Sequence, residues 1–150
     1  MRASHSSPRP LGHRMTTPAN IAGSYQKIAT ETATPGQLIA MLFDGAIRFL
    51  DRALVCFESP DPLEFNQGIH NNVRRAQAII HELNASLNME AGGELARVLR
   101  RLYLYFDMRL HESNIYKRPQ GIREVIERLT VLRDAWTEML QRRENAASGS

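Results

Sequence analysis

Six side chains in this sequence could bind a metal or attack a substrate, Cys56 and five histidines, and their spacing suits neither task. A di-iron bundle needs Glu-x-x-His spacing on its helices, and that spacing does not occur. His70 and His81 share one helical face but stand about three turns apart, with Arg74 between them, which makes a poor ligand set. His5 and His13 lie in a stretch rich in Pro, Ser and Arg, and His111 falls on the outer side of its helix. Cys56 adjoins Phe57 at a helix end without a basic cluster in sequence, the setting of an inert thiol. Glycine-rich phosphate loops, nucleophile elbows and zinc-protease helices are absent from the sequence. The residues therefore describe a non-enzyme without cofactor or metal. What remains is apolar side chains at helical spacing, the chemistry of recognition and packing.

That spacing is densest from Thr34 to Phe57, TPGQLIAMLFDGAIRFLDRALVCF. Thr34 suits an N-cap, Pro35 the first helical position, and Gln37 the reciprocal place in a capping box. At 100° per residue, Leu38, Leu42, Phe49 and Ala53 form one stripe, and Ile39, Phe43, Ile47, Leu50 and Leu54 a second beside it. Together they span roughly 180°, whereas a surface helix needs an apolar face of roughly 100°. Two readings account for the width: burial by two neighbours on adjacent sides, or a groove that takes a partner. Gly45, on the first stripe, would admit a close backbone approach.

Three more helices follow. Ser59, Pro60 and Asp61 stop the first, and Asp61, Pro62 and Glu64 start a second over about Pro62 to Asn88. Its seam is narrow: Phe65, Ile69, Val73, Ala76, Ile80, Leu83 and Leu87. Gly92 and Gly93 mark a break, after which a third helix is expected over about Glu94 to Asn114, facing inward through Leu95, Val98, Leu99, Leu102, Phe106 and Leu110. Leu104 and Met108 point away from that stripe and form a candidate docking patch. Pro119 opens a fourth helix, with Ile122, Val125, Ile126, Leu129, Leu132, Trp136, Met139 and Leu140 inward. Arg109 and Arg133, in or beside inner stripes, are expected to pair with carboxylates near a bundle end. The pattern is all-α: an antiparallel up-down-up-down four-helix bundle over residues 25–143, with a mobile N-terminal segment over 1–24 and a frayed end over 144–150. Met15 is an alternative start of translation.

The charge distribution narrows the partners. The sequence pI is about 9.4, yet residues 1–30 hold Arg2, Arg9, Arg14 and Lys27 with no acid, leaving 15 of the 19 basic residues against all 16 acids. A nearly neutral folded part does not capture a phosphate backbone, so nucleic acid is not an expected partner. No apolar run approaches the ~20 residues that span a bilayer, and the N-terminus lacks the apolar middle of a secretory signal. A soluble cytoplasmic protein is expected.

The run YQKIATETATPGQLIAMLFDGAIRFL, with AQAIIHELNASLNMEAGGELARVLRRLYLYFDMRLHESN and the later LRDAW, resembles the FliS family of flagellar export chaperones, in order, over about Tyr25 to Leu140. The resemblance implies a cytoplasmic four-helix bundle that binds the disordered C-terminal segment of flagellin, prevents its premature polymerisation and helps deliver it to the export gate, without catalysis or cofactor. It also implies that the segment holding Tyr25 covers part of the groove and moves when flagellin arrives. On that basis Leu38, Leu42 and Phe49 are expected to face the core. Tyr25, Ile28, Ile39, Phe43, Ile47, Leu50, Leu54, Leu104 and Met108 are expected to serve the partner. A self-associating helical bundle, a homodimer through the same broad arc, is the alternative. The fourteen residues before Met15 and the Lys117-Arg118-Pro119 turn depart from the family pattern.

Overall fold

The computed structural model describes residues 33–149. The chain divides into two compact units, Met1–Leu38 and Ile39–Ser150. In the first, the described residues are the start of helix α1 (Pro35–Phe57), closed by the capping box that the sequence anticipates. The Thr34 N–H donates to Gln37 Oε1 at 3.0 Å, and the Gln37 N–H donates to Thr34 Oγ1 at 3.2 Å.

The second unit is the four-helix bundle. After α1, Asp61 Oδ1 accepts from the Leu63 N–H at 3.0 Å and starts the next helix. Glu64 does not complete a capping box; its carboxylate takes the Ser59 hydroxyl at 3.2 Å. A π-helical turn, Glu64–Gly68, then leads into α2 (Ile69–Ala85). The wider turn brings the Gly68 backbone against Cys56, where a Cβ would lie 2.6 Å from Sγ. Helix α3 (Met89–Tyr116) consists of two helical pieces that meet at Gly93. Asn88 caps it, accepting from the Ala91 N–H at 3.0 Å, and only Gly93 is non-helical, at φ 54° and ψ −131°. Gly93 thus separates a short turn, residues 89–92, from the long helix that starts at about Glu94, as the two glycines suggest. Lys117, at φ 51°, ends α3, and α4 (Gln120–Ser148) follows. Helix α4 continues past Arg143, with every side chain from Gln141 to Gly149 exposed.

Cross-helix pairs advance on one helix as they recede on the next, which fixes antiparallel order. Gly45 meets Ile79 and Cys56 meets Gly68 between α1 and α2. Asn84 pairs with Arg100 and His70 with Asn114 between α2 and α3. Ser113 meets Gly121 and Tyr105 reaches Glu124 between α3 and α4. The core runs through Leu50, Ile69, Ile80, Leu83, Phe106, Leu110, Ile122 and Leu129, all buried. Gly121 sits where α3 and α4 approach most tightly: an added Cβ would collide with Ser113 Oγ and lie 3.0 Å from the Arg109 carbonyl oxygen. Gly121→Ala is therefore expected to cost about 1–3 kcal/mol by overpacking, read as a lowered midpoint in chemical denaturation.

Candidate partner-binding surface

The nine expected partner residues do not form one surface. Tyr25 and Ile28 lie outside the described residues. Phe43, Ile47 and Leu50 are core, at 4%, 7% and 0% exposure. Ile39 and Leu54 are half-buried against that core. The expected roles of the two α1 stripes are thereby corrected. The deepest line is their border, Ala46, Leu50 and Ala53, and the stripes are its flanks. Leu42 and Phe49 stand half-buried on one flank, where the guanidinium groups of Arg52 and Arg75 lie 5.4 and 5.6 Å from the Phe49 ring centroid. On the other flank Asp44 pairs with Arg133 of α4 at 3.2 Å. Helix α1 thus faces α2 on one side and α4 on the other, which consumes an arc of roughly 180°. Small residues make this possible. Ala46 and Ala53 turn inward, and Gly45 lets Ile79 come so near that a Cβ would lie 3.2 Å from its Cδ1.

The α3 patch is different. Leu104 and Met108 are exposed, at 56% and 57%, on the side of α3 opposite its buried line. Ile115, seven residues beyond Met108, continues the stripe, also exposed. Its spacing was legible in the sequence, although its place near the predicted helix end hid it. The inner line of α3 is Ala96, Leu99, Tyr103, Phe106, Leu110 and Ser113, which corrects the expected stripe: Leu95 and Val98 are exposed. Alternating steps of three and four through these six positions carried the signal, but ranking by hydrophobicity favoured Leu95 and Val98 over Ala96 and Ser113. Burial pushes the Tyr103 phenol up to about 12. Around the exposed stripe the charges are largely satisfied: Glu94 holds Arg97 at 2.9 Å and Arg101 at 3.7 Å, and Asp107 pairs with His81 at 3.0 Å. The result is an apolar line with balanced margins.

Polar clamps hold α3 to α4 beneath it. Glu124 accepts from Arg109 Nε at 2.8 Å and from the Tyr105 hydroxyl at 2.7 Å, and pairs with Arg128 at 3.2 Å. The Arg109 hydrogen bond, then that of Tyr105, hold the Glu124 carboxyl below the usual carboxylate range. A depressed native pKa gives stability that is present above the unfolded carboxylate pKa and is lost as pH falls through the native one. Acid titration of Glu124→Gln is expected to show a shallower loss of stability below about pH 4 than the parent. Arg109 and Arg133 both pair with carboxylates, Arg109 near a bundle end and Arg133 with Asp44 midway along α4 and α1.

Cys56 is buried, and burial first, then the Glu64 charge, raise its thiol above the ordinary value. That fits the inert role expected of it. Among the described residues, no group of three His, Cys, Asp or Glu side chains could hold a metal ion. No described helix is long and apolar enough to cross a membrane.

These features define the class: an antiparallel four-helix bundle that presents an apolar stripe on α3 to solvent. The chain belongs to the FliS family, whose model, described as flagellar protein FliS, matches residues 18–143. It is 35% identical to the flagellar secretion chaperone FliS of Bacillus subtilis over 127 residues, 85% of this chain and 91% of that protein. It is 34% identical to the flagellar secretion chaperone FliS of Salmonella typhimurium, over 77% of this chain and 87% of the relative. The corresponding protein of Campylobacter jejuni is also 34% identical, over 77% of this chain and 88% of its own length.

Proposed function

We propose that this protein is a cytoplasmic, non-enzymatic export chaperone for flagellin. It binds the disordered C-terminal segment of flagellin, keeps it from polymerising before export, and helps deliver it to the flagellar export gate. The relatives' names as flagellar secretion chaperones support the general role. The observation that carries the binding mode is the exposed line of Leu104, Met108 and Ile115 on a bundle whose core is otherwise closed. A disordered client bears an ordering cost on binding, so an extended apolar line at helical spacing suits it better than a deep pocket. The half-buried Ile39 and Leu54 extend the candidate surface on α1, and Tyr25 and Ile28 are its proposed self-covering anchors.

The test is titration of the full-length protein with a peptide of flagellin's C-terminal region, followed by size-exclusion chromatography and far-UV circular dichroism. A one-to-one complex at micromolar concentration with a gain in helix is expected. Absence of binding, or a dimer of the bundle that the peptide does not dissociate, refutes the reading; the second result assigns the apolar line to self-association.

A further inference from the structure

At the bundle end where α3 stops and α4 begins lies a cavity of about 390 Å³, lined by Ser113, Tyr116, Arg118, Gln120, Gly121 and the Arg109–Glu112 ion pair. Helix α4 starts there with no side-chain cap and no acid in its first turn. The N–H groups of Gly121 and Ile122 find no acceptor among the described residues, although both residues are buried. The first-turn N–H groups of a helix have no intrahelical acceptor and need a partner from outside the helix. Ser113 supplies a third unmet group: it is 2% exposed, and its Oγ, packed against Gly121, has no hydrogen-bond partner. A helical serine can turn its hydroxyl onto the carbonyl four residues back; Ser113 does not.

The charges point the same way. Glu112 and Glu124 are both engaged by Arg109, at 2.9 and 2.8 Å, and Arg128 adds a second positive charge to Glu124, so these four side chains neutralise one another. That leaves Arg118, held over the Tyr116 ring at 5.4 Å from its centroid and without a carboxylate partner among the described residues. The positive end of the 29-residue α4 adds to it.

We propose that this cavity is an oxyanion site, in which a phosphate or a carboxylate accepts hydrogen bonds from the Gly121 N–H and the Ser113 hydroxyl while Arg118 supplies the charge. Helix N-termini bind such groups through these two effects together. The site does not depend on the client reading. The Lys117-Arg118-Pro119 turn is the segment that places Arg118 and leads into α4.

The test is an amide-shift titration of the full-length 15N-labelled protein, with inorganic phosphate in one arm and N-acetylglutamate in the other. Saturable shifts of the Gly121 amide at millimolar concentration are expected. Saturation by phosphate alone identifies a tetrahedral dianion as the ligand, and saturation by N-acetylglutamate identifies a carboxylate; either supports the site. Ser113→Ala and Arg118→Gln should each weaken binding about tenfold, the loss of one hydrogen bond to a charged group. Ser113→Ala should leave the anion-free Tm unchanged or raised, because it removes an unsatisfied hydroxyl. Linear shifts without saturation into tens of millimolar, or a Ser113→Ala protein that titrates like the parent, overturn the proposal.

Discussion

Ile47→Asp is expected to unfold the bundle and not merely to weaken client binding. Ile47 is 7% exposed and belongs to the core shared by all four helices. Replacing a buried Ile with a short side chain costs about 2–5 kcal/mol through lost burial and the remaining cavity. A carboxylate placed there must also be desolvated or protonated, which adds several kcal/mol. The sum approaches the whole stability of a domain of this size, about 5–15 kcal/mol. Urea denaturation followed by circular dichroism should show a protein largely unfolded before denaturant is added, with Ile47→Val losing only about 0.5–1.5 kcal/mol. A folded Ile47→Asp protein with lost client affinity would return Ile47 to the binding surface and refute its place in the core.

The paired substitution Leu104→Gln with Met108→Gln is expected to do the opposite. Both side chains are more than half exposed, and glutamine is a good helix former, so stability should change by no more than about 0.5 kcal/mol. If the client covers both, each loses about 1.5–3 kcal/mol of apolar burial on binding. The flagellin peptide's Kd should therefore rise by about 100-fold or more, measured by calorimetry on the same samples. Unchanged affinity would remove the outer face of α3 from the binding surface and leave the half-buried residues of α1 as its candidate. The two substitutions together separate core from surface, which periodicity alone had left mixed.

Several local features were legible from residue types because they depend on a few neighbouring atoms. The Thr34–Gln37 capping box forms as the spacing demands. The seam of α2 buries Ile69, Val73, Ala76, Ile80 and Leu83, five of its seven expected members, and leaves Phe65 and Leu87 partly buried. Leu104 and Met108 emerge outside, as their angle from Phe106 requires. The break at Gly93 was legible too, but the short turn before it was not, because it rests on Asn88 capping the Ala91 N–H. The Asp61 cap was readable, but the partner of Glu64 was not, because Ser59 competes for its carboxylate.

Residue types and spacing imply an all-helical bundle, the order of its helices and the excess apolar width of α1. Hydrophobic period and caps are local, and they suffice for that. Only the tertiary structure decided which part of the width was free. Burial depends on how many neighbours a helix has and how closely they come, and in α1 that was set by Gly45, Ala46 and Ala53, which a scale of hydrophobicity ranks low. Phe43, Ile47 and Leu50 are buried while Leu104, Met108 and Ile115 are exposed, so the stripe open to a partner among the expected residues lies on α3. The unmet donors around Ser113 and Gly121 were likewise invisible in sequence, because they arise where two helix ends meet in space.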